Sequence, residues 1–110
     1  MIGAELRQIQ MPKAMMQNIR LGRARLSGAV LDGSNLVNSN LICAELSFAS
    51  LVGVDLRNAK LQRATLRKTD LRQADLRGAL MDGAVLDGVN LEGAKHDATT
   101  RWPEGFSPEG

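Results

Sequence analysis

Apolar side chains recur along this chain with a step of five. All nineteen positions in that phase between Met1 and Leu91 hold leucine or methionine, fifteen and four respectively. The unbroken core of the run is Leu21, Leu26, Leu31, Leu36, Leu41, Leu46, Leu51, Leu56, Leu61, Leu66, Leu71 and Leu76. Two residues before each stands a smaller side chain, such as Ala24, Ala29, Ser34, Ser39, Ala44, Val54, Ala64 or Thr69. An α-helix turns about 100° per residue, so a step of five would spread the leucines around its whole circumference and leave no apolar stripe. A continuous strand fails too, because its side chains alternate with period two and five is odd. The phase must therefore be reset in every repeat. A short extended segment followed by a corner does this, aiming the small residue and the leucine inward and presenting the next pair to the same interior.

The slot two residues after each leucine supplies the corner. Eight of the eleven glycines fall there (Gly3, Gly28, Gly33, Gly53, Gly78, Gly83, Gly88 and Gly93), with Asn18, Asn38 and Asn58. Glycine and asparagine tolerate the positive φ that type II turns require. Corners of one hand wind the chain into a coil, and stacked coils hydrogen-bond about 4.8 Å apart. Sides of five residues suggest about four corners per coil, which the period by itself leaves open.

Stretches such as Ala44-Glu45-Leu46-Ser47-Phe48, Val54-Asp55-Leu56-Arg57-Asn58 and Ala74-Asp75-Leu76-Arg77-Gly78 resemble pentapeptide repeats of the A(D/N)LXX type. The likeness runs over about residues 2–101. It implies an all-β right-handed quadrilateral β-helix with twenty residues per coil, hence close to five coils here. The expected organisation is one solenoid over 1–101, irregular in its first coil (1–20), and a cap over 102–110. The core ladders would be Leu26, Leu46 and Leu66; Leu31, Leu51 and Leu71; Leu36, Leu56 and Leu76; and Leu41 with Leu61.

Charge changes the picture only once the coil is assumed. With residue n above n+20, Arg67 would pair with Asp87, Arg72 with Glu92 and Arg77 with Asp97, giving a basic and an acidic belt one rung apart. Glu5, Arg25 and Glu45 would alternate along another ladder, and Asp75 would meet Lys95. Exposed cross-strand pairs of this kind contribute about 0.2–1 kcal/mol each.

The ends of an open coil expose apolar cross-section and unpaired backbone. Near the C-terminus the leucine phase decays to His96 and Arg101, followed by Trp102-Pro103-Glu104-Gly105-Phe106-Ser107-Pro108. Trp102 and Phe106 are expected to form a lid, in a tail that is similar to one found in cyanobacterial pentapeptide-repeat proteins. His96 has no cysteine or second histidine near it and reads as a polar end to the core ladder rather than a metal ligand. At the other end Ile9 and Ile19 fill small slots, Met11 and Met16 replace leucine, and Pro12 follows Met11, so the first coil should be widened. That end is a candidate edge for an end-to-end homodimer.

Function is less legible. An aliphatic interior and flat faces without inserted loops offer no concave polar pocket, so no enzyme, cofactor, metal or small-molecule substrate is implied. A single cysteine, Cys43, faces outward from a corner and builds no disulfide framework. No stretch approaches the ~18 apolar residues of a membrane span, and cytoplasmic location is the default expectation. Resemblance to quinolone-resistance members would imply DNA mimicry of a gyrase substrate. A tower of about 24 Å would then need on the order of fourteen negative charges. The net charge is +2 and the pI about 9.1. Direct nucleic-acid binding rests on a mild basic strip of Arg20, Arg23, Lys60 and Arg63, with little outward aromatic surface. A structural or protein-interaction module with a protein partner remains the leading expectation. Among outward apolar residues (Val30, Val37, Ile42, Phe48, Val52, Leu80, Val85), the contact candidates are Phe48, Ile42 and Val52.

Overall fold

The structure, a computed structural model, describes residues 2–108; Met1, which shares the leucine phase, and the last two residues of the tail lie outside it. The chain is a right-handed quadrilateral β-helix. Single parallel β-bridges join residue n to n+20 from Glu5↔Arg25 to Asp75↔Lys95, one per side per coil. The tower measures 32 × 23 × 23 Å. Its four sides carry the rungs Glu5–Arg25–Glu45–Thr65–Val85, Gln10–Val30–Ser50–Asp70–Asn90, Met15–Asn35–Asp55–Asp75–Lys95 and Arg20–Asn40–Lys60–Leu80.

Four of the five backbone donors of an interior pentapeptide find backbone acceptors, three of them in the neighbouring coils, and this explains the repeat. Around Leu26, the Leu26 N–H donates to Glu45 O in the next coil, Gly28 N–H donates to Ser47 O, and Arg25 N–H donates to Ala4 O in the preceding coil. Ala29 N–H donates back to Leu26 O, closing a four-residue turn. The third turn residue has positive φ at all nineteen corners from Gly3 to Gly93, the sign that type II geometry demands there. Eleven of these corners are not glycine, including Gln8, Lys13, Phe48 and Lys68. A non-glycine residue in this region costs about 1–2 kcal/mol, which the interlocking of the coils must offset.

The fifth donor, the N–H after each leucine, has no backbone partner. Asn or Asp one residue before the leucine accepts it: Val37 N–H donates to Asn35 Oδ1, Ile42 N–H to Asn40 Oδ1 and Arg57 N–H to Asp55 Oδ1, at 3.0, 3.0 and 3.2 Å. Such a short side chain bonding its own backbone two residues on is the Asx arrangement. The A(D/N)L pattern therefore completes the backbone accounting of the coil.

The eleven ladder leucines from Leu26 to Leu76 are all buried, at 2% exposure or less. Polar substitutes in the small slots are satisfied internally where they bridge coils. Thr69 Oγ1 donates to Leu46 O at 2.7 Å, and Thr100 Oγ1 to Leu76 O at 2.8 Å. Ser34 Oγ accepts from Ala14 N–H and donates to Met11 O, standing in for the turn bond that would otherwise join those two groups.

The last coil departs from the even step. Leu80 pairs with Arg101, twenty-one residues on, so one extra residue sits between Lys95 and Arg101. Arg101 accordingly occupies the bridge slot and not the leucine slot expected for it. Trp102 takes the leucine place above Met81, and Thr100 the small slot above Ala79.

Candidate interaction surfaces

Among the described residues the solenoid carries no inserted loop, so any site must be made from its rungs, corners or ends. Within the same residues no group of His, Cys, Asp or Glu is placed to hold a metal ion, and no helix is long and apolar enough to cross a membrane.

The charged rungs are organised differently from the two belts that stacking alone implies. The n over n+20 register holds, yet the arginines pair within their own pentapeptide. Arg57 Nη2 lies 2.8 Å from Asp55 Oδ2 and Arg72 Nη2 lies 2.7 Å from Asp70 Oδ2, while Arg77 pairs with Asp75 in the same way. Neither Arg72–Glu92 nor Arg77–Asp97 nor Arg67–Asp87 forms an ion pair among the described residues. The cause is the Asx bond: the carboxylate that accepts the Arg57 N–H is already turned toward the Arg57 guanidinium. On the first ladder Arg25 does reach Glu5, at 3.3 Å, whereas Glu45 is taken by the Ser47 hydroxyl and amide. Asp75 and Lys95 are bridge partners through the backbone without a side-chain ion pair.

These bonds tune the carboxylates. The Arg57 guanidinium holds Asp55 below the ordinary carboxylate range, against partial burial and the neighbouring Asp75; Arg72 does the same for Asp70 and Arg77 for Asp75. Asp82 is lowered by its bond to Arg101, and Asp97 by the Thr99 hydroxyl. A carboxylate whose pKa is lower folded than unfolded stabilises the fold above its unfolded value of about 3.9, and loses that contribution as pH falls through the folded one. The thermal midpoint should therefore be flat from neutrality to about pH 5 and decline below about pH 4. Asp75→Asn, which keeps an acceptor for the Arg77 N–H and removes the charge, should flatten that decline. Melts followed by circular dichroism across pH check both.

The contact candidates Ile42, Phe48 and Val52 lie on three successive corners of one coil and are not gathered into a patch. Phe48 is 66% exposed, adopts positive φ, and has the Lys68 ammonium 5.9 Å from its ring centroid. Ile42 and Val52 are half-buried. Val52 donates its N–H to Asp32 Oδ1, and Val30 is bridged to Ser50, two residues before Val52. On the Arg20 side the basic strip is real as an arrangement: Asn40 separates Arg20 from Lys60, and Cys43, half-buried at the corner, separates Arg23 from Arg63.

The two ends differ. At the N-terminal end Leu6, Ile9, Met16 and Ile19 are only half-buried, and Ile2, Met11 and Met15 are exposed. An apolar cavity of about 70 Å³ opens between Leu6, Ile9, Met11, Met16 and the leucines of the next coil. Ile9 and Ile19 stand in its small slots, and the Ser34 hydroxyl replaces the turn bond between Ala14 N–H and Met11 O. At the C-terminal end Trp102 and Phe106 pack against the core with ring centroids 5.4 Å apart. His96 is exposed and meets Trp102 edge-on, also at 5.4 Å. Val89, Leu91 and Ala94 stay half-buried beyond the aromatic pair. Sequence reasoning missed the tail register and the Ser34 clamp; the unequal sequence separations of Leu80–Arg101 and Asp75–Lys95 carry the first, and a serine twenty residues on from Ala14 of the Met11-Pro12-Lys13-Ala14 corner is the signal for the second.

The sequence pattern of Pentapeptide repeats matches residues 19–58 and 59–95, in eight copies. Among solved structures, the chain is similar to HetL, a pentapeptide repeat protein involved in heterocyst differentiation regulation in the cyanobacterium Nostoc sp. strain PCC 7120. Identity is 36% and the TM-score 0.83, over 84% of this chain and 39% of HetL, so the chain spans well under half of that relative. It is 34% identical to alr5209, a pentapeptide repeat protein also from Nostoc, over 94% of this chain and 77% of that one, with a TM-score of 0.69. A pentapeptide repeat protein of the Arabidopsis thaliana thylakoid lumen, 22% identical over 84% of this chain and 61% of its own, shares the fold with a TM-score of 0.63. No curated protein matches the chain in sequence.

Proposed function

Because the chain belongs to the pentapeptide-repeat family, we propose that it is a non-catalytic protein-interaction module, a rigid post whose outer corners meet a protein partner. The observation that carries this reading is Phe48. A large aromatic in a left-handed corner costs backbone energy and contributes nothing to the core, since it is 66% exposed. Aromatic residues held rigidly at a surface are what protein interfaces use as anchors. Similarity to HetL, itself involved in regulating differentiation, supports a regulatory role over a metabolic one. The interior supports non-catalysis: it is filled by leucine and alanine, and the cavity at its N-terminal end is apolar.

DNA mimicry is disfavoured by the surface. Asp55, Asp70, Asp75 and Asp82 are each bound to an arginine, leaving no continuous row of free carboxylates among the described residues to imitate a phosphate backbone. The module reading is tested by placing a photo-crosslinking phenylalanine analogue at Phe48, and separately at Asn58 as a control corner, in cells of the source organism. A discrete protein adduct from position 48 that position 58 does not give is the expected result. Equal adducts from both corners, or none from either, would contradict the Phe48 contact.

A further inference from the structure

Between the coils of Arg20 and Arg63, one side of the tower carries cations and no carboxylate. Its rungs are Arg20–Asn40–Lys60, its positive-φ corners are Arg23, Cys43 and Arg63, and between them stand Gly22, Ile42 and Gln62. Arg20, Arg23, Lys60 and Arg63 are exposed, and none forms an ion pair among the described residues. The preceding corner is neutral, with Asn18, Asn38 and Asn58, and Asp82 in the next coil is bound to Arg101. The same side leaves backbone donors open. Asn40 accepts the Ile42 N–H, but Arg20 and Lys60 offer no acceptor, and the N–H groups of Gly22 and Gln62 make no hydrogen bond among the described residues. Each is an open amide between two cations, Arg20 with Arg23 and Lys60 with Arg63. Elsewhere in the tower this amide seats a carboxylate. Asp55, Asp70 and Asp75 supply it within their own pentapeptides. For Val52 it comes from the neighbouring coil, where Asp32 Oδ1 accepts the N–H at 3.1 Å. The acceptor therefore need not belong to the same repeat.

We propose that the Gly22 and Gln62 amides are seats for two carboxylates of a partner protein, delivered by an acidic helix laid along this side. The inference rests on the reading of the tower as a protein-interaction module and adds a partner chemistry at a surface separate from Phe48. Each seat offers one amide donor and two cations, much as Asp55 finds the amide and the guanidinium of Arg57. Hydrogen bonds to an ionised acceptor are the stronger ones. The spacing selects a helix. Seats two coils apart lie about 9.6 Å from each other along the tower. Seven residues of α-helix rise about 10.5 Å and return to nearly the same face. In a strand, side chains on one face recur at about 6.7 and 13.4 Å, and neither value matches. Ile42, half-buried between the seats, would meet the helix residue three or four beyond the first carboxylate, so an apolar side chain belongs there. A nucleic-acid strand fits less well. Such strands stack their bases on aromatic side chains, and the tier between the seats holds Asn40, Ile42 and Cys43.

The test follows the backbone amides of the isotopically labelled full chain by NMR at low ionic strength. The probe is a synthetic alanine-rich helix with Glu at i and i+7 and Leu at i+3 and i+4. Saturable shifts that are largest at Gly22, Ile42 and Gln62 are expected. A peptide of the same composition with its two Glu residues five apart, and so on different sides of the helix, should bind several-fold more weakly. Two substitutions separate the amide from the charge. Lys60→Ala removes a cation and leaves the Gln62 N–H open. Lys60→Asn removes the same cation and supplies the cap that Asn40 gives Ile42, so it should weaken binding several-fold beyond Lys60→Ala and silence the Gln62 shift. No shift on this side, equal binding of the two peptides, or equal losses in the two variants would overturn the proposal. So would a single-stranded oligothymidylate that moves the same amides at lower concentration than the peptide. The Phe48 adduct is gained or lost independently of each of these results, so failure of the carboxylate seats is distinct from failure of the module reading.

Discussion

Leu56→Ala is expected to cost about 2–5 kcal/mol of unfolding free energy, whereas Leu6→Ala costs about 1 kcal/mol or less. Both leucines occupy the same slot of the repeat, and helix or strand propensity treats them alike. Their surroundings differ. Leu56 is fully buried, stacked between Leu36 and Leu76, with the backbone of its coil tied above to Asp75 and below through Leu36 to Asp55. Removing its branched end leaves a void that those bonded coils cannot collapse into, so the lost transfer energy is joined by a cavity penalty. Leu6 already borders a cavity of about 70 Å³ in a half-exposed coil that is bonded on one side. Urea titrations of the two variants, analysed for the denaturation free energy, separate these cases. Equal losses would mean that the first coil is packed as tightly as the third.

The second large effect runs in the opposite direction of size. Ala64→Leu should destabilise by about 1–3 kcal/mol, because its slot lies against the corner with no measurable exposure. Thr65 N–H donates to Ala44 O and Val85 N–H donates to Ala64 O, so neither neighbouring coil can move outward to admit three more carbons without breaking rungs. Ile19 shows where such bulk is allowed: it fills a small slot in the first coil, half-exposed, with only one bonded neighbour coil. Ile19→Ala should accordingly change stability little. Thermal melts of Ala64→Leu and Ile19→Ala decide the point, and an Ala64→Leu protein melting with the native chain would contradict a rigid twenty-residue coil.

Legibility followed the backbone. The leucine phase, the small slot and the glycine-rich corner each fix a direction for one residue in five, so the interior from Leu26 to Leu76 can be assigned from the sequence. The twenty-residue register also followed, and with it the bridge partners of every rung up to Lys95. Ion-pair partners did not, because stacking distance alone does not rank neighbours. Asp55 has Asp75 above it in the ladder, yet it binds Arg57 beside it, since the Asx bond to the Arg57 amide has already aimed its carboxylate. The tail failed for another reason. One residue inserted between Lys95 and Arg101 shifts everything after it, and nothing in a five-residue period tells whether a lapse at His96 is a substitution or an insertion. The interaction surfaces were the least legible: Ile42, Phe48 and Val52 look alike as outward apolar residues, and only their corner positions show that Phe48 stands alone.

The most direct test of the tower is a through-space proton spectrum of the isotopically labelled chain. Backbone contacts between Glu45 and Thr65, Ser50 and Asp70, and Asp55 and Asp75 are expected on all sides at a separation of twenty residues, with Leu80 and Arg101 in contact at twenty-one. Contacts at three and four residues through the leucine run, or a rung separation other than twenty between Glu5 and Lys95, would contradict it.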